Sequence, residues 1–92
     1  MDTTLESNNT LATEDYFLLA TRKWDDKLED YLPVSDPSTT TQTFDEYADA
    51  ETAYFAVNYQ SCPQAEGKDI KLELLHMRYN VRHMVRNRIL FP

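Results

Sequence analysis

The chain has 92 residues, 41% of them hydrophobic and eleven aromatic, with a net charge of -7 at pH 7; that length fits one small domain with a core of marginal size. A single cysteine, Cys62, excludes an internal disulfide framework and any zinc site built from several thiolates. No apolar run approaches the ~20 residues of a membrane span, and MDTTLESNNT lacks the basic and apolar regions of a signal peptide, so a cytoplasmic protein is expected.

Residues 1–12 are polar without an apolar period and read as a flexible N-terminal arm, followed by a single helical domain over 13–92. Thr13 is a suitable helix N-cap, and Glu14 and Asp15 suit the positive end of a helix dipole. Phe17, Ala20, Trp24, Leu28 and Tyr31 then recur at spacings of three and four, which predicts a helix that Pro33 closes at about Leu32. PVSDPSTTTQ, with two prolines and a Ser/Thr tract, is a connection. Thr43 and Glu46 have the spacing of a capping box and open a second helix running to about Gln60. Its aromatic face would hold Phe44, Tyr47, Ala48, Tyr54, Phe55 and Tyr59. SCPQAEG follows as turn material with the chain's only glycine.

In the third segment Ile70, Leu74, Met77, Val81, Met84 and Val85 fall within one arc of about 100° on a helical projection, the width of a core-facing stripe. Asp69 near its start and Arg86 and Arg88 near its end match the dipole. The expected fold is therefore all-α, a small three-helix domain with a flexible arm. A rival pattern stands beside it: DIKLEL alternates strictly and AYFAVNY is rich in aromatic and branched residues, as strands are. A small α+β fold is the alternative, with 53–59 and 69–75 open between helix and strand.

Charge is unevenly divided. Residues 1–66 hold three Lys/Arg against fourteen Asp/Glu, a net of -11, whereas residues 67–92 hold six against two, a net of +4. HMRYNVRHMVRNRIL contains Arg78, Arg82, Arg86 and Arg88 and no acid. On the expected third helix Lys71, Arg78, Arg82 and Arg86 would form a strip beside the apolar arc, with Tyr79, His76 and His83 on the other edge. Such a strip has three uses: pairing with the chain's own carboxylates, meeting a partner protein, or gripping a phosphate backbone. The acidity of the first two thirds opposes bare nucleic acid. The mixture of Arg78, Arg82 and Arg86 with Tyr79, Leu75 and Ile89 favours a protein interface. On the acidic side, Asp25, Asp26, Asp45 and Asp49 are candidates to stand in for phosphates on a partner's basic surface.

No catalytic, cofactor-binding or metal-ligating residue is expected. His76 and His83, seven apart on a helix, would lie about 10 Å apart along its axis, too far for one ion, and one glycine leaves no glycine-rich phosphate loop. The expected function is that of a non-catalytic intracellular binding protein, an inhibitor that docks on a larger protein or nucleoprotein complex and occupies a basic nucleic-acid-binding surface. The alternatives are a structural subunit of a larger assembly and a small nucleic-acid binder using the arginine-rich third segment. In size and charge the chain resembles short acidic blockers encoded by bacteriophages, including inhibitors of CRISPR and restriction complexes. That resemblance carries no motif and assigns no residue a role.

Overall fold

The structure is a computed structural model and describes residues 15–92; the expected arm over 1–12 and the N-cap Thr13 lie outside the described residues. The expected all-α, three-helix domain is not what these residues form. They build a five-stranded antiparallel sheet, curled like half a barrel, with one α-helix against it. β1 (Tyr16–Asp25) and β4 (Ile70–Arg78) are its centre, paired from Tyr16 opposite Met77 to Lys23 opposite Ile70. The other edge of β1 is shared by β2 (Asp30–Tyr31) at its end and β3 (Thr40–Phe44) along its first half. β5 (Val81–Leu90) pairs with β4 and ends the sheet. The helix, α1 (Tyr47–Ala56), lies between β3 and β4 in the chain.

Burial of the central strands on both faces explains the misleading helical period. On one face Leu19, Leu72 and Leu74 pack under Ala50 and Tyr54 of α1; on the other, Leu18, Leu75 and Met77 pack under Val34 of the connection. A strand covered on both sides reads as a near-continuous apolar run and not as alternation. Within such a run, spacings of three and four arise without any helix, as with Phe17, Ala20 and Trp24, or Ile70, Leu74 and Met77. The alternation in DIKLEL does mark the start of β4. AYFAVNY is instead the end of α1 and the turn after it.

Two tight hairpins replace the expected first and third helices. After β1, the Asp25 carboxylate accepts the Leu28 N–H at 2.9 Å, the Asp25 carbonyl accepts the Glu29 N–H at 2.9 Å, and Glu29 takes a φ of 53°. Leu28, expected in the core, sits at this turn and is exposed, while Trp24 and Tyr31 meet edge to face across the ladder at 5.2 Å. Between β4 and β5 only Tyr79 and Asn80 intervene, with φ of 51° and 65°. Positive φ at both central positions is what a two-residue type I′ hairpin demands, and asparagine tolerates it best after glycine. Beyond this turn Val81, Met84 and Val85, also expected in the core, stand exposed on an edge strand.

The second expected helix survives only in its middle. Thr43 is a β3 residue opposite Leu18, so the Thr43–Glu46 capping box does not form; Glu46 is the N-cap and makes no side-chain bond to the helix. Tyr47, Ala50, Tyr54 and Val57, at spacings of three and four, are the positions packed on the sheet, and Phe55 points outward. Two 3-10 turns, Tyr59–Ser61 and Pro63–Ala65, then fold Cys62 and Ala65 onto Ile70.

Candidate functional site

The four arginines of the basic segment divide between the two faces of the sheet, because opposed residues in a ladder share a face. Leu75 pairs with Met84 and Leu74 with Arg86, which leaves Val85 as an unpaired bulge residue. The bulge sets Arg82 on one face with Met84, opposite Met77, and turns Arg86 and Arg88 to the face that carries α1. The single strip expected from Lys71, Arg78, Arg82 and Arg86 is therefore split, with Lys71 and Arg82 on one face and Arg78 and Arg86 on the other.

Three of the four engage partners within the chain. Arg78 lies 3.4 Å from the Asp15 carboxylate and against the exposed Tyr79 ring. Arg86 reaches Glu51 at 3.1 Å, donates to the Tyr47 hydroxyl at 3.3 Å and stacks over Phe55. The Tyr47 hydroxyl, and after it Glu51, hold the Arg86 guanidinium above its ordinary pKa. Arg88 donates to the carbonyl of Tyr54 at 3.1 Å, which also accepts the Val57 N–H, and to that of Val57 at 2.8 Å, at the end of α1. Its guanidinium also covers the Tyr54 ring. Arg82 has no such partner among the described residues.

The acidic candidates do not form one patch. Asp25 and Asp26 lie at the β1–β2 hairpin, where Asp26 accepts from Lys68 and, at 2.9 Å, from the Trp24 indole. These donors, Lys68 first, hold the Asp26 carboxyl below its ordinary value. Asp45 and Asp49 are exposed at the start of α1, just after Phe44. Phe44 pairs with Phe17, so these two carboxylates sit at the opposite end of β1 from Asp25, roughly 26 Å away at the rise of a strand.

Ion pairs among the described residues engage six of the nine Lys/Arg: Arg22, Lys23, Lys68, Lys71, Arg78 and Arg86. They engage five of the thirteen carboxylates in residues 15–92, which leaves eight outside any such pair. The strongest of these pairs was not legible in the sequence. Glu73, 3% exposed, accepts from Arg22 at 2.8 Å and has Lys71 at 3.5 Å, while Arg22 also donates to the Leu32 and Tyr31 carbonyls. Arg22 thus ties the connection after β2 to the sheet. The only signal was the Arg22-Lys23 pair inside an otherwise largely apolar stretch.

His76 and His83, seven apart, are directly opposed across the β4–β5 ladder and so are neighbours, contrary to the helical expectation. His76 stacks on Phe17 at 4.6 Å and lies 3.5 Å from Asp15. Among the described residues no group of three or more His, Cys, Asp or Glu is placed to hold a metal ion. Cys62 is buried, which pushes its thiol pKa up, and it lines a cavity of about 190 Å³ with Leu19, Thr21 and Gln64. Among the described residues no helix is long and apolar enough to cross a membrane. No protein-family model, curated protein or solved structure matches the chain.

Proposed function

We propose that the chain is a non-catalytic binding protein that docks on a larger protein or nucleoprotein complex and inhibits it by occupying a basic, nucleic-acid-binding surface. The observation that carries this reading is the residual charge. Internal pairing engages most of the cations but leaves eight carboxylates of the described residues outside ion pairs, Asp25, Asp45 and Asp49 among them. Unpaired surface carboxylates set the sign of the field that a partner meets, and they complement a surface evolved for phosphates. The engagement of Arg78, Arg86 and Arg88 inside the protein weighs against direct grip on nucleic acid, whose affinity grows with the number of cationic contacts.

The test is capture by the immobilised chain from nuclease-treated lysate of the source cell, followed by competition with duplex DNA and with RNA. Changing Asp25, Asp45 and Asp49 together to Asn should lower retention of the captured protein at least ten-fold at low salt, and nucleic acid should displace the wild type. Retention unchanged by the triple substitution at low salt would overturn the reading.

A further inference from the structure

We infer that the outer edge of β5 receives an extended, acidic strand from a partner protein. This contact goes beyond the docking proposed above, since it uses the other edge of the sheet and a partner of opposite charge. Among the described residues β5 pairs only with β4, so ten residues of strand present their outer backbone groups. A strand edge of that length is a template for another strand. Val81, Met84 and Val85 flank it as exposed apolar side chains.

The charge along this edge selects the occupant. From Leu74 to Pro92 the chain contains no carboxylate. Arg82 has no intramolecular ion partner among the described residues, and the Arg86 side chain is 45% exposed although it touches Glu51. Asp45 follows β3, which β1 and β4 separate from β5 in the sheet.

An acidic strand suits this edge better than a second copy of the chain, which brings its own arginines to it. A two-fold axis through an antiparallel strand pair makes the contact self-complementary, with each residue facing its counterpart reflected about the axis. An axis at Asn87 opposes Arg86 to Arg88. Axes at Arg86 or Arg88 oppose each to itself. Like charges directly opposite destabilise a ladder, so self-pairings of β5 centred on Arg86, Asn87 or Arg88 are penalised.

The bulge also fixes the spacing of the complementary strand. Arg82 and Arg86 lie opposite Met77 and Leu74, three ladder positions apart and on opposite faces. A partner strand therefore meets both with carboxylates at positions i and i+3, separated by apolar residues that cover Met84 and Val85.

The intact protein, titrated with blocked eight-residue peptides of threonine and valine, tests this. A peptide with two glutamates three positions apart should bind at least ten-fold more tightly than its glutamine counterpart. N-methylation of alternate peptide amides, which removes strand pairing and keeps the charge, should abolish binding. Arg82→Gln should weaken binding several-fold with unchanged thermal stability. Equal binding of the glutamate and glutamine peptides, or tolerance of N-methylation, would overturn the inference. So would a concentration-dependent dimer in sedimentation, or nuclear Overhauser contacts showing the edge already held by residues 1–14 of the same chain. The Asp25, Asp45 and Asp49 substitutions leave this binding unchanged, which separates its failure from failure of the acidic docking.

Discussion

β4 and β5 belong to one hairpin and are nearly equal in length, yet they live in different physical worlds. β4 lies between two strands and under cover on both faces, with Ile70, Leu72 and Leu74 fully buried. β5 has a neighbour on one side only, and every residue from Val81 to Asn87 is exposed. What separates them is position in the sheet and not apolar content, since β5 contributes Val81, Met84, Val85, Ile89 and Leu90. The lesson is that β4 encodes stability, whereas β5 leaves one edge of the sheet unpaired among the described residues.

The largest expected effect breaks that contrast directly. Leu74→Asp places an unpaired carboxylate in a fully buried site and should leave the chain unfolded, because its cost exceeds the margin of a small domain. Val81→Asp, at a half-exposed position, should leave it folded. Circular dichroism of both variants checks this, and equal loss of structure would remove the distinction between the strands.

Next in size is the buried charge on β4. Glu73→Ala leaves Arg22 and Lys71 facing each other without their shared carboxylate. Removing one member of a buried pair costs ~3–5 kcal/mol, and the lower end applies because both cations reach water in part. Urea unfolding should show it. Arg88→Gln on β5 should cost less, about 1–2 kcal/mol, through the lost bonds to the Tyr54 and Val57 carbonyls. Arg82→Gln, two turns of the ladder away, should not move the midpoint at all.

The smallest effect lies outside both strands, at Asp26 and Lys68. Asp26 is depressed below its ordinary 3.8 and Lys68 raised above its ordinary 10.5, each mainly by the hydrogen bond to the other. The contribution of Asp26 is present above 3.8 and is lost as pH falls through its lowered value. That of Lys68 is present below 10.5 and is lost as pH rises through its raised value. Melting temperatures of wild type and Asp26→Asn should therefore differ slightly at pH 7, and the difference should shrink as pH falls below 3.8. Both groups are exposed, so salt should shrink the difference.

How much of this was legible follows the same division. The turn chemistry around Cys62 and Gly67, the core of α1 and the strand character of DIKLEL could be read locally. The fold class could not, because residues such as Leu18 and Leu19, or Leu74 and Leu75, are buried on opposite faces, and that depends on what covers each face. The bulge at Val85 further erased the period of two in β5. Asn80 was the one missed local signal, since an asparagine flanked by apolar strands suits a type I′ turn. Among the candidate site residues, the basic character of 78–86 was plain from the sequence, but which arginine keeps a free charge depended on where α1 lies. That Asp25 and Asp45 lie at opposite ends of β1 depended on the strand pairing, which has no local sign in the sequence.

Site-resolved amide hydrogen exchange of the intact chain measures the central claim most directly. The account expects protection throughout β4, and in β5 protection only at alternate amides away from the bulge, since half of the N–H groups of an edge strand point to solvent. Unbroken protection from Val81 to Leu90 would mean that the edge is already covered, and would contradict the account of β5 as the open side of the sheet.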